Sequence, residues 1–310
     1  MTATARKYHH VAVAMGGWSV EREVSLSSGR ACADAIEIAG YRVTRVDADR
    51  DLAQRLRDVK PDVCFNALHG RWGEDGCVQG LLECLGIPYT HSGVMASALA
   101  MNKERCKAIV RTCGVRVAEG VVIPRADALR SHAMEPPYVA KPIAEGSSVG
   151  VVIVKAGANR PPETIGSIPV LDDCIMVERY IPGRELTCGV IDGAATGIID
   201  IVPAAQLEFY DYEAKYAEGG SRHILPADLP QRITDAVRAQ TLAAHRALGC
   251  RGVSRTDFRY DDAADELVYL ETNTQPGMTG TSLIPELAAH QGLSFPELLA
   301  WMIEDASIDR

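Results

Sequence analysis

The segment Leu267-Val268-Tyr269-Leu270-Glu271-Thr272-Asn273-Thr274-Gln275-Pro276-Gly277-Met278 runs from an apolar strand into a polar turn. Alternation along that strand puts Glu271 and Asn273 on one face. Asp257 comes from a second extended run, Gly252 to Tyr260, and Asp261-Asp262-Ala263-Ala264-Asp265 makes the hairpin turn between the two. Three hard oxygen ligands then converge at one sheet end, the kind of donor set that Mg²⁺ takes while water and substrate phosphates complete its octahedron. An acidic surface hairpin is the alternative for Glu271 alone, but an Asn two residues on, followed by Pro-Gly, is not what a merely solvated strand end needs. Arg255 should share the face of Asp257. A permanently charged fork beside a metal can steady negative charge that develops in acyl or phosphoryl transfer; a structural salt bridge to a local Asp is its other reading.

Working outward, Tyr138-Val139-Ala140-Lys141-Pro142, Glu145-Gly146-Ser147-Ser148-Val149-Gly150 and Val151 to Lys155 read as strand, flexible loop, strand. Small residues in the loop let backbone N–H groups approach phosphate oxygens, although a Gly-Ser hairpin taken alone is more often a plain turn. Lys141 shifts that balance. A lysine at the end of a mainly apolar strand must snorkel, pair or aim at an anion. Lys103 and Lys215 are further cationic candidates, each more commonly a surface lysine. Ile175 to Ile181 is another apolar strand; Glu178, Arg179 and Ile181 on it suit a hinge whose backbone meets an adenine edge, with Glu185 near ribose hydroxyls. An ordinary strand and turn fits equally, and local sequence does not choose. Tyr210, Tyr212 and Tyr216 lie with Glu208, Asp211, Glu213 and Lys215 in a polar loop suited to a lid over a site.

At the other end, Val11 to Met15 reads as a short buried strand ending in Gly16-Gly17, and Ser25-Leu26-Ser27-Ser28 opens a helix that Gly40 stops. Strands near 41–46 and 63–67 and a short helix near 52–57 continue the rhythm of a parallel sheet. Loops at the carboxyl ends of such strands bind ligands. One carries Glu21, and the other carries His69 against Gly70, where a ligand contact and a capping role are equally open. His9, His10, His132, His245 and His290 show no partner pattern.

The fold class expected is α/β, a Rossmann-like parallel sheet over residues 1–100, followed by α+β subdomains over 101–184 and 185–310. A chain of 310 residues exceeds one ordinary core, and 47% hydrophobic with 24% charged residues leaves no need for extended disorder. The net charge of -9 argues against a nucleic-acid partner, so a polyphosphate must meet local positive groups. Nine cysteines without a Cys-x-x-Cys pair read as reduced thiols, and the first apolar run is too short for a signal core or a membrane span; a cytoplasmic protein is expected.

Taken in order, these segments resemble the D-alanine–D-alanine ligase family of the ATP-grasp superfamily. The matching motifs are Gly16-Gly17 with Glu21-Arg22-Glu23-Val24-Ser25, Ala67-Leu68-His69-Gly70 with Gly73-Glu74-Asp75-Gly76, Lys141-Pro142 with Ser147-Ser148-Val149-Gly150, Phe209 to Tyr216, and Asn273 to Met278. Any one is weak, and five in the right order are highly specific. The resemblance implies ATP between the second and third subdomains, with Glu178 and the Arg179 and Ile181 backbones at adenine, Glu185 at ribose, and Lys103, Lys141, Ser148 and Lys215 at phosphates. Asp257, Glu271 and Asn273 match magnesium ligands, for two ions of Mg²⁺ or Mn²⁺; a monovalent cation activator is left open. Glu21 matches the residue that receives the first D-alanine ammonium, held with Ser147 and Tyr216, and His69 lies near that subsite. Arg255 and the Gly277 N–H match the oxyanion site; Ser282 and Leu283 match the pocket for the second D-alanine carboxylate.

The reaction so implied moves the γ-phosphoryl of ATP onto one D-alanine and then joins the second, for peptidoglycan synthesis, in a homodimer. An intact Tyr216 loop favours an amine nucleophile over D-lactate. D-serine or D-lactate as second substrate is the alternative within the enzyme class, and a nucleotide-binding regulator without turnover is the alternative outside it. Ala144, Trp18 and Gln275 depart from the common pattern without removing a ligand.

Overall fold

Three sheets carry the described residues. The computed structural model describes residues 6–146, 149–170, 173–203, 220–280 and 282–309. In the first sheet β1 (His10–Gly16) lies between β2 (Arg42–Ala48) and β3 (Val63–Asn66), and both neighbours run parallel to it. Every residue of β1 is buried, as a central parallel strand covered on both faces requires. The connections are α1 (Arg22–Ile38) and α2 (Leu52–Val59).

The serine run predicts a start for α1 at residue 25, but the helix begins at Arg22. Its serines are committed elsewhere. Ser25 Oγ accepts from Gly16 N at 2.8 Å and donates to Ala67 O at 2.8 Å, so it ties the ends of two strands. That tertiary use overrides the N-cap preference of serine. Gly40, with φ at 87°, follows the last turn in the left-handed region, the stop its residue type predicts.

After α3 (Cys77–Leu85) and α4 (Val94–Met101) comes α5 (Lys103–Thr112), whose cap Asn102 accepts from Arg105 N at 3.0 Å. The second sheet follows, with β4 (Gly120–Pro124), β5 (Tyr138–Lys141), β6 (Val152–Val154) and β7 (Cys174–Arg179) in antiparallel order β4-β7-β5-β6. The short helix α6 (Arg125–Arg130) packs on it. β7 ends two residues before the predicted limit: Tyr180 N still donates to Pro137 O in the register of the ladder, but a proline has no N–H with which to continue it.

The third sheet is antiparallel in the order β10-β9-β8-β11-β12, built from β8 (Arg184–Ile191), β9 (Ala194–Pro203), β10 (Ser221–Ile224), β11 (Ser254–Asp261) and β12 (Glu266–Asn273). α7 (Gln231–Ala247) buries Ile233, Val237 and Ala244 in one cluster with Leu186, Cys188 and Phe258 of this sheet. The last helices, α8 (Leu283–His290) and α9 (Phe295–Asp305), return to the beginning of the chain. Leu298, Leu299, Met302 and Ile303 share a core with Val11, Val13 and Ile36, and Tyr8 Oη donates to Ala306 O at 2.8 Å. This closure brings the loops after β1 and β3 against the end of β12. Among the described residues no helix is long and apolar enough to cross a membrane.

Candidate active site

The hairpin at 254–273 forms as its sequence predicts, and its register pairs Asp257 with Glu271 and Arg255 with Asn273. An irregularity after Asp257 pairs Phe258 with Tyr269, leaving Leu270 as the extra residue; bulges of this kind re-aim side chains next to functional sites. Asp257 is buried and accepts from Thr187 Oγ1 at 2.6 Å, from Arg255 Nε at 2.9 Å and Nη2 at 2.7 Å, and from Asn273 Nδ2 at 3.1 Å. The structural salt bridge read for Arg255 is present. Arg255 bridges Asp257 in bidentate fashion, and it also lines a pocket with Gly277. Among the described residues no three His, Cys, Asp or Glu side chains are grouped to hold a metal. The candidate set is two carboxylates and one amide, all hard oxygen donors.

Of the cavities that Glu271 lines, two carry most of the candidate residues. The larger is a cleft of about 1020 Å³, counting its open mouth, between the second and third sheets. Val139, Ile153, Ile181 and Leu270 give it apolar walls, and Lys103, Lys141, Glu178, Glu185 and Glu271 bring charge to it. Apolar walls with a few polar groups describe most small-molecule sites. Helical spacing places Lys103 and Lys107 of α5 on one face. Lys103 Nζ sits 3.2 Å from Glu271 and donates to Glu145 O at 2.6 Å.

Lys141 resolves as the paired option, 2.5 Å from Glu178 Oε2, while Lys107 takes Glu178 Oε1. Burial opposes the charge of Glu178, but Lys141 and Lys107 outweigh it and hold the carboxyl well below its ordinary range. Burial, helped by the like charge of Lys141, pushes the Lys107 ammonium down to about 8 against the pull of Glu178. At neutral pH the cluster is two ammonium groups around one carboxylate. Glu185 lies 3.5 Å from Arg259. Arg179 turns its side chain outward to Glu266 at 2.8 Å and gives its N–H to Glu119 O, so its carbonyl is the backbone group left for a ligand in the cleft.

The smaller pocket is polar and drawn from distant segments: Glu21, His69, Gly146, Arg255, Asn273 and Gly277 all line it. The buried Glu21 carboxylate lies against two glycine backbones; a Cβ at Gly70 would stand 2.3 Å from Glu21 Oε2, and one at Gly146 3.2 Å from it. His69 is neither a cap nor a free imidazole. Its Nδ1 is 2.9 Å from Glu74 and its Nε2 3.0 Å from Ser28 of α1, which fixes the ring at the pocket wall. Ser282 Oγ accepts from Thr279 N at 2.8 Å, and Gly277 closes on it so tightly that a Cβ would come within 3.0 Å. Leu283 buries its side chain in the core, so any ligand contact there would be through its backbone. Ser147, Ser148, Lys215 and Tyr216, with the whole tyrosine loop, lie outside the described residues.

Sequence reasoning missed two things. Lys107 carries a helical-spacing signal, four residues after Lys103 and between the apolar Cys106 and Ala108, that could have found it. Gln275 carries none. Its buried amide donates to Leu68 O and accepts from Asn66 Nδ2 at 2.6 Å, pinning the turn at 273–277 to the loop that bears His69. The partners lie 209 residues apart, so no local pattern reports them.

The chain has close counterparts among known proteins. Residues 110–304 match the family description "D-ala D-ala ligase C-terminus" and residues 48–92 match "D-ala D-ala ligase N-terminus". The chain is 62% identical to D-alanine–D-alanine ligase of Parvibaculum lavamentivorans, covering 97% of this chain and 98% of the relative. It is 60% identical to that of Methylobacterium radiotolerans, covering 97% and 99%. A crystal structure of D-alanine–D-alanine ligase from Bacillus anthracis complexed with ATP superposes with a TM-score of 0.80 at 33% identity, covering 96% of this chain and 97% of that one. With fold and sequence agreeing over nearly its full length, the chain belongs to the D-alanine–D-alanine ligase family.

Proposed function

We propose that this chain is an ATP- and Mg²⁺-dependent ligase that joins two D-alanines to D-alanyl-D-alanine, with ADP and phosphate as the other products. One observation carries the reading: an apolar, lysine-bearing cleft and a polar pocket with Glu21, Arg255 and Gly277 share the Glu271 side chain. A nucleotide in the first and an amino acid in the second would bring a γ-phosphoryl group and a carboxylate together beside Glu271. That is the geometry needed to activate an acid with ATP.

In this reading the base of ATP occupies the apolar slot, where the Glu178 strand and the Arg179 carbonyl present an edge and Glu185 meets the ribose. Lys103 and Lys141 offset phosphate charge, joined by Ser148 and Lys215 from segments outside the described residues. Asp257, Glu271 and Asn273 would hold Mg²⁺ or Mn²⁺, and such an ion supplies charge neutralisation at the transferring phosphoryl group. Glu21 receives the ammonium of the first D-alanine, with His69 shaping that subsite. The γ-phosphoryl passes to the D-alanine carboxylate oxygen, giving an acyl phosphate and ADP. The amine of the second D-alanine attacks the carbonyl carbon, the oxyanion forms against Arg255 and the Gly277 N–H, and the C–O bond to phosphate breaks as the amine loses its proton. Ser282 and the Leu283 backbone would hold the second carboxylate.

Tyr216 supports an amine over a hydroxyl nucleophile by its sequence context alone. The nine free cysteines fit a reducing cytoplasm, and the family resemblance supports a homodimer. Phosphate release with ATP and Mg²⁺ is measured across D-alanine, L-alanine, D-serine and D-lactate, with products identified by mass. D-alanine alone should give rapid release and a dipeptide; release unchanged by D-alanine overturns the proposal.

A further inference from the structure

The charged groups around the larger cleft do not all face it. Lys103 and Lys141 line it, whereas Lys107 lies beneath them, 3% exposed and away from any position a nucleotide would touch. Glu178 joins the two layers. One of its oxygens is held by Lys107 from the helix side, and the other by Lys141 at 2.5 Å from the cleft side. Glu178 is itself 3% exposed and Lys141 8%.

A polyphosphate in the cleft would compete with Glu178 for the Lys141 ammonium. Drawing Lys141 away from a buried carboxylate that had no other partner would strand an uncompensated charge, one of the costlier events in a protein interior. Lys107 removes that obstacle. It stays on the opposite oxygen, so Lys141 can shift toward phosphate while Glu178 remains neutralised. The direction of the field agrees: two ammonium groups about one carboxylate leave a net positive charge at the floor of the cleft, where an anion gains most.

We propose that Lys107 is a positioning residue for nucleotide binding, a counter-ion that frees Lys141 from Glu178 for the phosphates of ATP. This rests on the ligase reading above. The residue touches no substrate, so its effect must pass through Glu178, and that dependence makes it testable.

ATP affinity and the separate KM values for ATP and D-alanine are measured for the unaltered protein, K107M, E178Q and K107M/E178Q, each alongside a thermal melt. K107M should weaken ATP binding about ten- to a hundredfold, the range that coupling between contacting charges spans, with the KM for D-alanine unchanged. In the E178Q background, where no carboxylate competes for Lys141, the same substitution should change ATP affinity by less than about threefold. The double variant leaves no buried acid unpaired, so it reports on the idea even if K107M alone does not fold. Equal losses in both backgrounds, or full ATP affinity in K107M, overturn the proposal. An unaltered protein that binds no ATP defeats the ligase reading first, and this one with it.

Discussion

Two of the cavities that Glu271 lines are built in opposite ways. The larger is walled by strands of two antiparallel sheets, and its charges are settled between neighbouring strands and one helix: Lys107 with Glu178, Glu178 with Lys141, Lys103 with Glu271. The smaller is assembled from turns far apart in the chain, held by hydrogen bonds such as Gln275 to Asn66 and by backbone approaches that only glycine permits at residue 70. The first depends on charge balance, and the second on position. A substitution in the polar pocket that spares the proposed metal ligands Glu271 and Asn273 should therefore damage amino-acid turnover and leave ATP affinity alone. ATP affinity that falls in parallel would break the distinction.

The largest effect is expected at Arg255. Its guanidinium faces the polar pocket while bridging Asp257, and loss of one oxyanion donor typically lowers turnover roughly a hundredfold to a thousandfold. Arg255→Ala should do so in steady-state kcat, and near-normal turnover removes Arg255 from the mechanism. Gly70→Ala comes next. Its φ of 69° disfavours any side chain, and the new Cβ would press on Glu21 Oε2 from 2.3 Å, displacing the proposed ammonium acceptor. A displacement near 1 Å costs about a hundredfold, so kcat/KM for D-alanine should fall by that order while ATP affinity, read by equilibrium binding, stays within about threefold.

Gln275→Leu tests the tie itself. Buried partners on Asn66 and Leu68 lose their bonds, at a cost of about 1–3 kcal/mol in denaturant unfolding, and kcat should drop about tenfold as the turn at 273–277 loses its anchor. Unchanged kcat in a destabilised protein would show that the tie serves the fold alone.

The smallest effect on activity is expected away from both cavities. His245 on α7 is buried beside Ser254 Oγ at 2.7 Å, and burial lowers its imidazole to about 4. The folded pKa lies below the unfolded one, so the neutral ring is favoured by folding. Its share of stability is present above about pH 6.5 and is lost as pH falls toward 4, up to about 3 kcal/mol. His245→Gln should flatten that acid limb of the unfolding curve without changing kcat at neutral pH; an unaltered slope would place the acid sensitivity elsewhere.

Much of this was legible in the chain. The polar turn at 261–265 separates β11 from β12 where its residues predict, because Asp and Ala cannot continue an apolar ladder there; alternation put Glu271 and Asn273 on one face, and the register then set Asp257 opposite Glu271. The lysine at 141 left snorkelling, a partner or an anion open, and the fold supplies the partner, Glu178. Other features stayed hidden for physical reasons. Ser25 reads as a cap until the strand ends that claim its hydroxyl are brought together. The sequence left open whether Arg255 is a structural bridge or a pocket group. The fold bridges it to Asp257 and sets the same side chain at the wall of the polar pocket.

From the order of residues alone came the element types, the cationic strand ends, the hard-oxygen hairpin and the family. These depend on periods of two and 3.6 residues, on turn chemistry and on motifs that each lie within a short span. Tertiary structure decided which charges neutralise one another and which turns touch: Lys107 beneath Lys141, Gln275 on Asn66, Glu21 against Gly70. Those pairings depend on burial and on contacts between residues up to 209 positions apart, and a carboxylate has no defined partner until folding removes the water that would otherwise serve it.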